Sequence, residues 1–379
     1  MLGRLAFCVV TCGALSACGG SDHPPPIDLN PYMNAAGGAP SDDDGSEPSG
    51  GKPTAGTDLR KGGFLNIPSV SDILYDEQHE VLYVSSTQGG LATVTLEDSK
   101  IVTQKIGDGP LTGLDLSPGG SLLLICENSV DVDAKEYWIH IADLERGTLR
   151  EVYFPQFFGI QEGTNDAAFA NDETIFLASS FTASGYVPLL RLNLGDDSFE
   201  EVGQVVSDTM FARSLDNSAV ALAEPKDGTG PFHVIDTATL NLVEGTVSAD
   251  LHDVAISADG SIMAFPTTGK VKLLKRDDAG KFSVESAIAN PSSDAKAAIF
   301  SPVSSSLYVV WADHNDSTVA HVERYNVDSG ESEGIVQKSI QLAETRLGGF
   351  VPTRMRISND GSLLFITVET GVNVYALEP

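Results

Sequence analysis

His252 and Asp253 open the stretch "HDVAISADG", a pairing that in a hydrolase would pass a proton between imidazole and carboxylate. The same place in other apolar runs holds Asp72, Asp166, Lys296 and Arg354, and Glu127, Glu224, Asp313 and Glu369 stand at or within one residue of the ends of the runs that follow. Seven carboxylates with a few counter-charges suit a cation, a basic peptide or a polar small molecule. As an acid–base cluster, the set offers only His252 with Asp253 and Glu224. Against both stands a plainly structural reading, in which the carboxylates cap neighbouring backbone amides. Consecutive strand residues point to opposite sides, so a relay between His252 and Asp253 has poor geometry, and an acidic binding face is the expectation.

Signatures of common enzymes are missing from the sequence: it contains no G-x-S-x-G, H-E-x-x-H, C-x-x-C or P-loop. "DVDAKE" (131–136) begins like a calcium loop, but Glu136 stands where such a loop needs glycine. His314 and His321, around "DHND", make a thin metal patch that a solvated loop explains better. No catalytic residue, cofactor or metal is therefore expected, and a divalent cation such as calcium has no motif to hold it.

What positions these side chains is a repeat. The chain reads "SDILYDEQHEVLYVSS" (71–86), "TGLDLSPGGSLLLICE" (112–127), "NDAAFANDETIFLASS" (165–180) and "TMFARSLDNSAVALAE" (209–224). It continues with "HDVAISADGSIMAFPT" (252–267), "KAAIFSPVSSSLYVVW" (296–311) and "TRMRISNDGSLLFITV" (353–368). Each copy is an apolar strand, a turn of Pro, Asp, Asn, Gly or Ser, and a second apolar strand, with a third alternating run and a weaker fourth downstream. Seven copies at a period near 45 residues predict an all-β, seven-bladed propeller of four-stranded antiparallel blades. The last copy is short of one strand, and "GFLNI" (63–67) precedes the first copy, so this N-terminal strand is expected to complete the last blade. Inner strands line the channel of such a disc, which sends the charged strand starts to one mouth, beside loops such as "NSVDVDAKEY" and "DHNDSTVAH" that are longer than those opposite.

The phrases "HDVAISADGSI", "DLSPGGSLLLI" and "FHVIDTATL" resemble the YVTN-type bacterial propeller repeats over residues 63–379. "ARSLDNSAV" and "FSPVSSSLY" depart from that pattern by lacking the turn glycine, and the YVTN tetrapeptide is absent. A WD-repeat likeness is weaker, because neither Trp138 nor Trp311 precedes an aspartate. The resemblance implies a fold rather than an activity, since such propellers include lactonases, lyases and binding proteins. Three expectations follow: a binding or scaffolding module, then an extracytoplasmic lactonase- or lyase-like enzyme, then a structural subunit of an outer-membrane assembly.

Residues 1–17 read as a signal peptide, with Arg4 ahead of an apolar run too short to span a bilayer. Leu15-Ser16-Ala17-Cys18 resembles the bacterial lipobox, which implies lipid on Cys18 and an anchor in the cell envelope. Gly19 and Gly20, with no aspartate behind the cysteine, lean towards the outer membrane. Residues 18–62 are rich in Gly, Pro, Ser and Asp, a tether with a reach of roughly 35 to 40 Å. Cys126 is then the one thiol left in the globular part, so no disulfide forms within the chain. A formal charge of −30 repels nucleic acid and anionic headgroups. The expected partners are the membrane through the lipid and an unidentified protein or small polar ligand, with the chain itself a monomer.

Overall fold

Alternating apolar residues and short polar turns build antiparallel strands throughout. The computed structural model describes residues 58–131, 136–155, 161–181, 185–224, 230–342, 353–368 and 370–378. The signal peptide, Cys18, most of the tether and Glu369 lie outside the described residues.

The first copy forms a four-stranded meander of Val70–Asp76, Val81–Ser86, Gly90–Thr95 and Lys100–Lys105. The second, third and fourth copies form sheets of the same order, with inner strands Leu111–Leu116, Gln161–Asn171 and Met210–Arg213. In the last sheet Met355–Ile357 is innermost, followed by Leu363–Val368 and Gly371–Ala376, and Gly63–Asn66 lies outermost. Gly63 faces Val374 and Asn66 faces Gly371 there, so the N-terminal strand takes the position that the last copy leaves open. Leu65 buries its side chain among Ile73, Leu82, Phe365 and Val372, packing the last sheet on the first. Leu59, in a single 3-10 turn capped by Asp58, adds to that cluster and donates its amide to the Leu96 carbonyl.

The expectation of seven separate four-stranded blades is corrected by the fifth and sixth copies. Among the described residues, five four-stranded blades stand in the ring, and the fifth and sixth copies share one curled six-stranded sheet. Its strands are Ala255–Ile256, Ile262–Arg276, Phe282–Phe300, Ser306–Asp313, Val319–Asn326 and Ser332–Gln341. Two features fuse the copies. Between the second and third runs of copy five the chain makes no long loop; it bends at Gly269 (φ +71°) and stays in the ladder, with Thr268 opposite Asp294 and Lys270 opposite Ala289. Phe282–Phe300 then continues from the outer edge of copy five into the inner strand of copy six without leaving the sheet. Val271, Leu273 and Ile288 of one half pack on Ala298, Leu307 and Trp311 of the other, which rolls the sheet on itself.

Candidate functional site in the central bore

The inner strands carry a repeated device in which an aspartate of one copy accepts a backbone amide from the inner strand of the next. Oδ2 of Asp72 accepts from Leu114 N–H at 2.9 Å, Oδ2 of Asp115 from Phe169 at 2.8 Å, Oδ2 of Asp166 from Phe211 at 3.1 Å and Oδ2 of Asp253 from Ala298 at 3.2 Å. Neighbouring copies are thereby tied at the wall of the bore. The other oxygens of Asp72 and Asp166 accept the amides of Ile73 and Ala167. Gly113 makes the fit, because a Cβ there would stand 2.2 Å from Oδ1 of Asp166.

Three guanidinium groups answer these carboxylates. Nη2 of Arg354 donates to Oδ2 of Asp166 at 2.9 Å, and its Nε lies 3.6 Å from Asp72. Arg356 reaches Asp72 at 3.3 Å and Arg213 reaches Asp115 at 3.2 Å. Asp115, Asp166, Asp253 and the three guanidinium groups line a cavity of about 420 Å³. Asp166, Asp253 and Arg354 belong to its deep part, while residues of the strand-one turns, Gln78, Gly119, Leu215 and Asn359 among them, surround its mouth.

Burial sets the electrostatics. It lifts the Asp253 carboxyl to about 6, against the pull of Arg354 and the amides of Val254 and Ala298. Asp166 is raised by the same cause, with Arg354 opposing. Burial also opposes the charge on Arg354, yet the attraction of Asp166, Asp72 and Asp253 outweighs it and holds the guanidinium pKa above its ordinary value. A buried cation among buried anions is thus fixed in its charged state, which suits electrostatic recognition better than proton exchange.

Of the residues singled out by sequence, Asp72, Asp166, Asp253 and Arg354 come together here, almost wholly buried inside the bore. His252 turns elsewhere, with Nδ1 against the Ala295 carbonyl at 2.6 Å, and burial lowers its pKa. Lys296 pairs with Asp294 at 3.5 Å, while Asp313 is exposed and accepts the Asn315 amide within its own turn. Glu127 and Glu224 sit inside their blades: Oε2 of Glu127 meets Nε2 of His140 at 2.6 Å, and Oε1 of Glu224 meets Nε2 of His233 at 2.5 Å. The second oxygen of each accepts an amide just ahead of the same copy's inner strand, from Gly109 and from Val206. This pattern, present in copies two and four, is a staple between strands.

Sequence reading did not single out Asp115, Arg213 and Arg356. Asp115 and Arg356 occupy equivalent places, two residues before Ser117 and Ser358, and two residues after the position of Asp72 and Arg354, so period-two alternation puts them on the same wall. The Glu–His pairs had a weaker signal, a histidine 13 or 9 residues beyond the glutamate, which acquires meaning only once the strands are in register.

A β-propeller is the class these sheets and this bore define. No family model matches the chain, and no curated protein matches it. Among solved structures it is similar to the β-propeller domain of Cps50 (Swd1) from Myceliophteria thermophila, at 12% identity and a TM-score of 0.61, over 84% of this chain and 100% of that one. It is also similar to hydrazine synthase from Kuenenia stuttgartiensis, at 13% identity and a TM-score of 0.59, over 83% of this chain and 97% of that one. At these identities the likeness speaks for the fold.

Proposed function

We propose that the chain is a binding or scaffolding propeller with YVTN-like repeats, held in a bacterial cell envelope by lipid on Cys18 and presenting its disc to a polar, cationic or protein partner. The observation that carries this reading is where the reactive side chains go. Asp72, Asp115, Asp166 and Asp253 hold neighbouring inner strands together, and His140 and His233 are bound to Glu127 and Glu224 inside blades. These two histidines are committed to the scaffold, while the bore keeps an open, charged cavity. A rigid disc with a polar recess in its bore suits recognition. The anchor is supported by the lipobox-like Leu15-Ser16-Ala17-Cys18, and an outer-membrane address by Gly19 and Gly20 behind it.

Two measurements test the reading. Wild-type chain should take up labelled palmitate and sediment with membranes, and Cys18→Ser should do neither; a variant that still sediments removes the lipid anchor from the account. Cross-linking in intact envelopes should then recover a defined partner in stoichiometric amount, whereas turnover of a lactone substrate by the purified chain would replace the binding function with an enzymatic one.

A further inference from the structure

We propose that the central cavity binds one organic cation, an alkylammonium or guanidinium group, with Asp253 as its counter-ion; this rests on the reading of the chain as a binding propeller. Four carboxylates of the bore face three guanidinium groups. Arg354 takes Asp166, Arg356 takes Asp72 and Arg213 takes Asp115. Asp253 is the fourth, 6% exposed, and among the described residues it has no ion-pair partner; an amide of Ala298 reaches its Oδ2 at 3.2 Å. Arg354 attracts Asp253 only from beyond ion-pair distance and does not offset the cost of burying it, so a cation entering the cavity supplies the close counter-charge that this carboxylate lacks.

The cavity also has the right form for a charged head on an apolar stem. Its deep part is ionic, and Leu215, 44% exposed, stands with Pro118 and Pro302 among the residues around the mouth. Methylene groups pack along such a rim while the head reaches the carboxylate. About 420 Å³ accommodates one such side chain or a small free amine. Bare metal ions fit less well, because among the described residues no group of three His, Cys, Asp or Glu is placed to hold one. The formal charge of −30 draws cations of either source towards the disc.

Calorimetric titration of the full chain in detergent, with agmatine and separately with a capped pentapeptide bearing a central arginine, tests this. One site is expected, weakened about tenfold or more by Asp253→Asn and by Ala258→Phe, which narrows the mouth. Tighter agmatine binding identifies a free amine as the ligand, and tighter peptide binding identifies a protein side chain. Should Asp253→Asn fail to fold, Ala258→Phe, in an exterior turn, gives the same readout. Absence of binding by either probe at millimolar concentration, or wild-type affinity in both variants, overturns the proposal. Partner recovery from envelopes separates the two readings: recovery by wild type and Asp253→Asn alike leaves the binding propeller standing without its cation site, and recovery by neither removes the propeller's binding role itself.

Discussion

Nη2 of Arg354 lies 2.9 Å from Oδ2 of Asp166, a residue 188 positions earlier in the chain, and both side chains are almost wholly buried. The contact joins the last sheet to the third across the bore, and the same guanidinium approaches Asp72 of the first at 3.6 Å. One side chain thus neutralises carboxylates from two copies that are not sequence neighbours. Arginine suits the task because its planar fork meets more than one acceptor while staying charged.

Removing that charge leaves anions buried alone. Arg354→Ala is expected to cost about 3 to 5 kcal/mol of stability in denaturant unfolding, with Arg354→Lys recovering part of the loss. A change under about 1 kcal/mol for the alanine variant would show that water or Arg356 already neutralises Asp166 and Asp72.

Asp253 has the opposite sign of pH dependence from the turn aspartates Asp196, Asp236 and Asp316. Its pKa in the fold is lifted from 3.8 to about 6, so the folded state binds the proton more tightly than the unfolded one. Stability from this group is fullest below about pH 4 and is lost as pH rises through about 6, a loss of roughly 3 kcal/mol at most. Asp253→Asn keeps an oxygen for the Ala298 amide and should exceed the wild type in Tm above about pH 7, the gap closing towards about pH 4. A gap independent of pH would show that Asp253 is not the titrating group.

Acid acts differently on the turns. Hydrogen bonds from Ser198, Thr239 and Thr318 hold Asp196, Asp236 and Asp316 below their ordinary value, so their contribution is present above about pH 4 and disappears as pH falls further. Unfolding of the wild type followed by circular dichroism should therefore show its steepest acid loss below about pH 4; a steep loss already between pH 6 and 5 would assign acid sensitivity to the histidines instead.

Gly113 leaves the space that Asp166 fills. Gly113→Ala puts a methyl group 2.2 Å from Oδ1 and 3.0 Å from the Cα of Asp166, and Asp166 is held by Arg354 and the Phe211 amide. A loss of about 1 to 3 kcal/mol is expected from thermal unfolding, and it should shrink when combined with Asp166→Gly, which removes the clashing carboxylate. Additive losses in the double variant would mean that the two positions do not meet.

The closing strand offers a paired control. Leu65 points into the cluster between the last and first sheets, while Phe64, next to it, is 48% exposed. Leu65→Ala should cost about 2 to 4 kcal/mol and Phe64→Ala less than about 0.5 kcal/mol in equilibrium unfolding. The reverse order would place the strand one residue out of register.

Much of this was legible because the recurring phrase around Ser117, Ser257 and Ser358 marks an inner strand, a turn and a second strand wherever it occurs. The orphan "GFLNI" and the short last copy likewise announced their pairing. Fusion of copies five and six was hidden, since spacing counts copies but does not show where a ladder is interrupted. Only the bulge at Gly269 and the pairing of Thr268 with Asp294 reveal a continuous sheet. For the site, the recurring charges at Asp72, Asp166, Asp253 and Arg354 stood out in sequence, whereas their depth in the bore depends on ring closure. Glu127 and Glu224 read as rim carboxylates for the same reason: the histidines that bind them arrive through strand register, with His140 opposite Ile125 and His233 opposite Leu222.

The position of Gly63–Asn66 at the outer margin of the last sheet has a mechanical meaning. Tension on the chain ahead of Asp58 meets the Leu59 amide on the Leu96 carbonyl first, and then a ladder of four residue pairs running from Gly63 with Val374 to Asn66 with Gly371. That short seam is where pulling would begin to open the disc, while the ionic ties of the bore, around Arg354 and Asp166, lie at the far inner edge of the sheets and bear load last.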